Sequence, residues 1–524
     1  MEKTVTNRQL LCFFCFLFVS QAYSVEKLRK VKGVSLGGWL VVEAWIKHSL
    51  FDDIPNPDML DGTEVQFKSV VTQKYVTALK GGGDNVTVNN PVHGTFETFR
   101  LWRVSETQFQ FRSSGGQFLS CVGDYLVSAK AKSPSRTETF IIEKLYNRVH
   151  FRTLDGTYIQ VKPSFQLTAD YPTKPGWDDN VATFIMIVVS TDYHGEYQLA
   201  NGWGDKAEDV LKAHRDTFVT IEDIRFMSKH GINTLTIPVG WWIYKDPNPP
   251  APFVGGSLEA LDNAFKWAQA YDMKCIIDLH AAPGSQNGKE TSSSRDNSAN
   301  WATSQVYISQ TLDVIDFLAS RYAKNSALLG ISLLNNPNAS FVPLDVLVSY
   351  YSKGYDIVRK YSSTTYVIIT PRTGNADPME LIQANIGSSN LVLEMHFFNS
   401  DNLTTNSSVL DNIEFVQNSR RAEIKALSTA NGPLLFIGEW VNLMTVEDAS
   451  KDDYQRFGKA QVEVYSEASF GWAYWTLKSE VKHWDLEWNI QNNYLQLGDS
   501  PNKIGSSYYI IFLATFWGYY FLCL

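Results

Sequence analysis

The chain has 524 residues, of which 44% are hydrophobic and 19% are charged, and its formal net charge is −9. This length favours more than one folded unit. The hydrophobic content is sufficient for packed cores, which argues against an intrinsically disordered protein. The acidic balance argues against a nucleic-acid partner, because such proteins normally present a basic surface to the phosphates. It also offers no polybasic attraction to a membrane.

The N-terminal segment is typical of a secretory signal peptide. Residues 10–24 form a short apolar run that follows two basic side chains and ends in small residues suited to cleavage. An N-terminal membrane anchor is the alternative, but the run is too short to span a bilayer. We therefore predict that residues 1–24 are a signal peptide and that the mature chain begins at Val25.

The C-terminal segment, residues 498–524, combines small residues, a short polar spacer and an apolar, aromatic tail. This pattern predicts the signal for a glycosylphosphatidylinositol (GPI) lipid anchor at the plasma membrane. A C-terminal membrane helix is the competing interpretation. Contact with a membrane is therefore expected only through this tail.

Other features favour a secreted, extracellular or cell-wall glycoprotein. Sequons for N-glycosylation occur at Asn85, Asn338, Asn402 and Asn406. Cys121 and Cys275 remain once the two terminal segments are set aside, and they fall in different predicted domains, so no disulfide framework follows. The sequence contains no spacing typical of a metal site, and neither a metal nor another cofactor is predicted.

A repeat of about 40 residues marks one part of the chain. Two series of similar stretches recur in register, namely residues 74–78, 117–121 and 157–161, and residues 97–99, 138–140 and 182–184. The copies alternate apolar and polar residues between glycine-containing turns, as β strands do. We interpret residues 63–189 as a β-trefoil, with an ordinary β-sandwich as the alternative.

The rest of the chain alternates strand-like apolar runs with amphipathic helical stretches, such as residues 257–271 and 303–322. The runs are residues 33–42, 233–242, 274–280, 329–334, 366–370, 391–398, 434–439 and 471–477. Eight strands with intervening helices predict an α/β fold, a parallel (β/α)8 TIM barrel. No glycine-rich dinucleotide-binding turn follows the first strand. The barrel is expected to comprise residues 25–62 and 190–497, with the trefoil inserted after its first strand.

Polar side chains follow several of these strands, where the active sites of such barrels lie. They are His280, Asn335, Asn336, His396, Glu439 and Trp475. Each of them alone is compatible with a structural role, but their shared location at the carboxyl ends of strands favours a binding or catalytic site. Glu439 is the strongest candidate, because burying a carboxylate after an apolar strand is costly without hydrogen bonds or a function.

Several stretches resemble one known family over essentially the whole mature chain. They are residues 33–40, 237–242, 280–288, 436–440 and 471–476, of which the run HAAPGSQNG from His280 is the most specific. The chain resembles glycoside hydrolase family 5. It is most similar to the exo-1,3-β-glucanase-like plant branch, which carries an inserted fascin-like trefoil.

The resemblance implies a retaining glycosidase acting on polysaccharides or oligosaccharides such as β-linked cell-wall glucans. In such enzymes one carboxylate is the nucleophile, while a second carboxyl group protonates the leaving oxygen and then activates water. Glu439 matches the nucleophile. Asn335 matches the residue that binds the sugar 2-hydroxyl, and Trp475 matches the floor beneath the sugar. His280 and His396 match further substrate-binding positions.

Three positions depart from the family pattern. Asn336 replaces the acid/base glutamate of an Asn-Glu-Pro motif. Thr236 replaces an arginine of strand two, and Phe398 replaces a tyrosine two residues after the strand-six histidine. An amide cannot protonate a glycosidic oxygen at neutral pH. Losing a cation and a hydroxyl donor is also expected to raise the pKa of Glu439, because both favour its charged form.

The sequence therefore leaves two functions open: a β-glucan hydrolase with impaired hydrolysis, or an inactive carbohydrate-binding protein of the cell surface, a pseudoenzyme. Glu394 shares the strand face of His396 and is a candidate replacement acid. Its expected depth in the barrel argues against that role. Actin bundling, which the fascin-like insert suggests, is disfavoured because a secreted protein does not meet cytosolic actin.

Overall fold

The computed structural model describes residues 29–497 apart from 122, 124, 192–193, 385–388 and 405. The predicted signal peptide and the predicted anchor signal lie outside the described residues, as do Cys12, Cys15 and Cys523. Over the described ranges, none of the helices combines the length and the apolar character needed to cross a bilayer.

The chain enters with strand β1 (Val31–Ser35) and then forms an inserted domain of antiparallel strands. The inserted strands are β2 (Glu64–Ser69), β3 (Tyr75–Ala78), β4 (Val86–Asn90), β5 (Thr98–Arg103), β6 (Gln108–Arg112), β7 (Phe118–Cys121), β8 (Val127–Ala131), β9 (Phe140–Leu145), β10 (Arg148–Thr153), β11 (Tyr158–Val161), β12 (Leu167–Tyr171) and β13 (Phe184–Ser190). Their inward side chains form a separate core. In this core, Phe67 packs edge-to-face against Phe111 and Phe151.

Three hairpins of the inserted domain repeat the same irregularity. The pairs β3–β4, β7–β8 and β11–β12 each shift register near the start of the first strand, at Tyr75, Phe118 and Tyr158. Isolated bridges join the hairpins in a closed triangle. The sequence repeat therefore coincides with a threefold repeat of hairpins, and we propose that the inserted domain is a β-trefoil.

The second part of the chain completes a closed parallel barrel with β1. Its strands are β14 (Thr234–Gly240), β15 (Lys274–Ala281), β16 (Leu328–Ser332), β17 (Tyr366–Ile369), β18 (Leu391–Phe397), β19 (Leu434–Trp440) and β20 (Gly471–Tyr474). Strand β1 pairs with both β14 and β20, which closes the barrel. The predicted eight-stranded α/β barrel is confirmed, and a β-rich domain lies between its first two strands.

Helices alternate with the barrel strands. In the described residues they are α1 (Glu196–Trp203), α2 (Ala207–Thr217), α3 (Ile221–Lys229), α4 (Ser257–Ala270), α5 (Gln305–Tyr322), α6 (Leu344–Tyr361), α7 (Met379–Gln383), α8 (Val409–Glu414), α9 (Arg421–Leu427), α10 (Lys451–Tyr465) and α11 (Leu486–Gln491). A π-helical turn, Phe415–Arg420, connects α8 to α9. Outward-facing strand residues such as Leu235, Ile237 and Val239 are fully buried in the apolar layer shared with the helices.

The first barrel strand is shorter than the predicted run 33–42, because β1 ends at Ser35. Gly38 takes a left-handed conformation with φ +73°, which turns the chain out of the strand. A Cβ on Gly37 would lie 2.8 Å from a ring carbon of Trp475, so only glycine allows this approach. The segment after β1 therefore folds as a turn beneath the Trp475 ring rather than continuing the strand.

Candidate active site

Glu439 lies in β19 at the carboxyl end of the barrel and is 5% exposed. The side-chain nitrogen of Asn335 donates to Glu439 Oε1 over 3.2 Å and to Asp278 Oδ2 over 3.1 Å. The backbone N–H of Asn335 donates to the carbonyl of Leu279 at 2.9 Å, which fixes the segment after β16 against β15. The amide of Asn335 thus joins two buried carboxyl groups from opposite sides of the barrel, on β15 and β19.

His396 stands on the other side of Glu439. The two residues are register partners in β18 and β19, and His396 Nδ1 lies 3.2 Å from Glu439 Oε2. The other ring nitrogen, Nε2, lies 3.5 Å from Glu394 Oε1. Glu394 is 2% exposed and accepts from the Ser332 hydroxyl. It is two residues nearer the amino end of β18, so it lies deeper than Glu439, as expected from its position in the strand.

A second set of charged side chains surrounds His280. Its Nδ1 lies 2.8 Å from Asp278 Oδ2, and its Nε2 lies 3.6 Å from Glu43 Oε1. The imidazole stacks on Trp475 with ring centroids 5.4 Å apart and an interplanar angle of 12°. Trp45 Nε1 donates to the other oxygen of Glu43 at 2.9 Å. These contacts hold the Trp475 ring and two buried carboxyl groups at one side of the barrel mouth, which is the opening at the carboxyl ends of the strands.

Asn336 follows Asn335 directly and adopts a left-handed backbone with φ +44°. Asn287 Nδ2 donates to the Asn336 carbonyl at 3.2 Å. Gln286 Nε2 donates to the carbonyls of both Asn335 and His280. The loop after β15 therefore holds the backbone that carries Asn335 and Asn336. The side chain of Asn336 is partly exposed.

The two remaining departures from the family pattern lie near this mouth. Thr236 is 4% exposed in β14, and its hydroxyl has no hydrogen-bond partner among the described residues. Phe398 follows β18, and its ring packs against Trp484 with centroids 5.5 Å apart. A threonine supplies no positive charge and a phenylalanine supplies no hydroxyl, so neither can stabilise a carboxylate as arginine or tyrosine can.

Burial raises the pKa of Glu439 to about 7. The nearby imidazoles of His396 and His280 oppose this change, while the charges of Glu394 and Asp278 reinforce it. Burial acts to lower the pKa of His280, but the hydrogen bonds to Asp278 and Glu43 prevail and raise it well above its usual value. The two imidazoles and the carboxyl groups around them therefore lie close enough to shift one another's pKa values.

The structure brings the predicted side chains together at one end of the barrel and places beside them three acidic residues that sequence reasoning missed. Asp278 could have been predicted from the sequence, since it lies two residues before His280 and therefore on the same face of β15. Glu43 also had a signal, since it follows the predicted strand-like run 33–42 directly, although the structure places it in the turns after β1. The third neighbour is Glu290, and burial together with the charge of Glu43 raises its pKa to about 7.

Within the described residues, no group of three or more His, Cys, Asp or Glu side chains is arranged to hold a metal.

Comparisons with known proteins identify the family. Residues 205–481 match the family model Cellulase (glycosyl hydrolase family 5). The chain belongs to glycosyl hydrolase family 5. Residues 56–189 match a domain of unknown function, DUF7910, which corresponds to the inserted domain.

Among the relatives of this family-5 chain are curated fungal proteins. It is 30% identical over 333 residues to the probable glucan 1,3-beta-glucosidase A of Aspergillus terreus, covering 55% of this chain and 77% of that protein. It is 36% identical over 177 residues to the glucan 1,3-beta-glucosidase of Pichia angusta, covering 33% of this chain and 40% of that protein. The crystal structure of rutinosidase from Aspergillus niger superposes with a TM-score of 0.51 at 20% identity, covering 58% of this chain and 90% of that one. This last likeness supports the barrel fold.

Proposed function

We propose that this family-5 protein binds β-linked glucans in its barrel mouth and hydrolyses natural glucans poorly, because it lacks a proton donor. Glu439 is the nucleophile that attacks the anomeric carbon from below. Asn335 binds the sugar 2-hydroxyl, His280 and His396 bind and orient the sugar, and Trp475 forms the floor beneath it. The glucan 1,3-beta-glucosidases among the relatives support β-1,3-linked glucan as the substrate class.

The observation that carries this proposal is the amide of Asn335 bonded to Glu439, with Asn336 next in the chain. In a retaining glycosidase the two carboxyl groups lie about 5–5.5 Å apart, on either side of the bond to be cut. Asn336 occupies the position of the second carboxyl group in sequence. Its amide holds no acidic proton, and loss of general acid–base help costs about 10²–10⁴-fold in rate.

A second candidate function is binding without cleavage. The raised pKa of Glu439 favours it, since a protonated carboxyl group is a poor nucleophile. In that case the mouth would hold a glucan end through Asn335, His280, His396 and Trp475 and release it unchanged. A substrate with a good leaving group distinguishes the two candidates, because only a protein with a working nucleophile releases that group.

We expect the purified protein to release phenolate from a dinitrophenyl β-glucoside while leaving β-1,3-gluco-oligosaccharides essentially uncut. A good leaving group needs little protonation, so the first step, in which phenolate leaves and the sugar is transferred to Glu439, can proceed without an acid. Water then releases the sugar from Glu439 only slowly, because Asn336 cannot act as the base, and the glycosyl intermediate accumulates. Rapid hydrolysis of the unactivated oligosaccharides would refute the proposed defect. Oligosaccharide binding with no phenolate release would instead favour the pure binder, and the absence of both would refute a glucan function.

The phenolate release is expected to rise with pH through about 7. The pKa of Glu439 in the folded chain lies at about 7, above its ordinary value of 4.5, so the carboxylate is present mainly above about pH 7. The same shift means that ionisation of Glu439 costs folding free energy, and this contribution to stability is lost as pH rises from about 4.5 to 7. The check is kcat/KM on the aryl glucoside between about pH 5 and 9. Phe398→Tyr should move the inflection to lower pH, and a profile that falls through neutrality would contradict this assignment.

A further inference from the structure

A cavity of about 330 Å³ lies where the inserted domain meets the barrel. The inserted domain contributes Trp102, Phe118 and Lys132 to its wall. The barrel contributes aromatic side chains that include Trp241 and Tyr307. The volume falls within the range of about 300–1,000 Å³ that is usual for small-molecule sites.

The cavity opens at the end of the barrel that carries Glu439. Trp241 follows β14 directly, and Ala282 and Ser285, which also line the cavity, follow β15. Strand β15 carries His280 near its carboxyl end. The loops that lead away from the candidate active site are therefore the same loops that form the barrel side of the cavity.

Ion pairs hold the two walls together. Asp296 of the barrel accepts from Trp102 Nε1 and from Arg112 Nη1, both at 2.7 Å. The guanidinium of Arg295 lies 3.8 Å from the centre of the Trp102 ring, and its Nε donates to the buried Asp61 at 2.7 Å. These contacts pair the charges on the wall and hold Trp102 and Arg112 of the inserted domain against the barrel.

Other polar groups on the wall are left unpaired. In the described part of the chain, the Lys132 amine and the Tyr307 hydroxyl have no hydrogen-bond partner. Lys132 is exposed and Tyr307 is partly exposed. Aromatic rings stack on the C–H faces of sugars, while ammonium and hydroxyl groups donate to sugar oxygens. The combination of aromatic rings and hydrogen-bond donors suits a hydroxyl-rich ligand such as a sugar.

We propose that this cavity is a carbohydrate subsite, built jointly by the inserted domain and the barrel, for the part of a β-linked glucan chain that extends from Glu439. The inference rests on the proposed function and gives the inserted domain a role in it. Lys132 and Tyr307 donate to the sugar hydroxyls of this part of the chain. Trp241 supplies a ring for stacking.

The test is titration calorimetry with a β-1,3-linked disaccharide and hexasaccharide. The wild-type protein should bind the hexasaccharide more tightly than the disaccharide. Lys132→Ala and Tyr307→Phe should each weaken hexasaccharide binding about fivefold, because each removes one hydrogen bond. Neither substitution should change disaccharide binding. Lys130→Ala is the matched control, since this exposed lysine of β8 contacts Asn85 and does not line the cavity.

The outcomes distinguish failure of the subsite from failure of the proposed function. Equal affinity for both sugars, or wild-type hexasaccharide binding by both variants, would overturn the subsite and leave the proposed function standing. An equal loss in the Lys130→Ala control would also overturn the subsite. If neither sugar binds the wild-type protein, the proposed function and the subsite are overturned together.

Discussion

Replacing Asn336 with glutamate is expected to raise hydrolysis of β-1,3-gluco-oligosaccharides by about 10²–10⁴-fold. The substitution supplies the missing acid next to Asn335, whose amide is already bonded to Glu439. The first release of phenolate from the dinitrophenyl glucoside, before the glycosyl intermediate is hydrolysed, should change far less, because that leaving group departs without a proton. Initial rates on the two substrates, measured side by side, check the prediction.

Asn336→Gln is the control for this gain, because glutamine matches glutamate in size but has no acidic proton. It should leave oligosaccharide hydrolysis at the wild-type level. The φ of +44° at Asn336 favours asparagine over both replacements. Each variant should therefore lose about 1 kcal/mol of stability and about one to two degrees of Tm, which thermal denaturation measures. A folded Asn336→Glu protein with no gain in rate would show that the site has degenerated at further positions, such as Thr236 and Phe398.

Replacing Glu439 with glutamine is expected to reduce phenolate release from the aryl glucoside by about 10³-fold or more. The amide cannot attack the anomeric carbon, and no glycosyl intermediate forms. Binding of oligosaccharides should persist, because the glutamine oxygen still accepts from Asn335. A slow-releasing fluorinated aryl glucoside should label the wild-type protein at Glu439, and mass spectrometry should find no such adduct on the variant.

Glu394→Gln is the matched comparison for Glu439→Gln. Both residues contact His396, at 3.5 Å and 3.2 Å respectively, but Glu394 lies deeper in the barrel. We expect the Glu394 variant to keep most of its phenolate release and its label. If it lost both as completely as the Glu439 variant, the nucleophile assignment would be wrong.

Most of the barrel could be predicted from the sequence, because its signals are local. The alternation of apolar runs with amphipathic helices is visible in short windows, and α4 and α5 lie within one or two residues of the predicted stretches 257–271 and 303–322. The end of β1 could not be predicted, since Gly37 leaves the strand to pack on Trp475 from the far end of the chain.

The candidate site divides in the same way. Glu439, His280 and His396 were visible from the sequence because each stands at a recognisable strand end, and the exchange at Asn336 was visible because the chain resembles a family with glutamate there. The contact of Glu43 with His280 was not visible, because it joins a turn after β1 to the end of β15, which is distant in the sequence.

By itself, the sequence determined which chemistry is present and which is missing at the mouth: a carboxyl group at position 439 and an amide at position 336. Only the tertiary structure decided how strongly Glu439 holds its proton and where the inserted domain meets the barrel. The physical reason is that pKa values and cavity walls depend on groups brought together by folding from distant parts of the chain, such as Trp102 and Asp296.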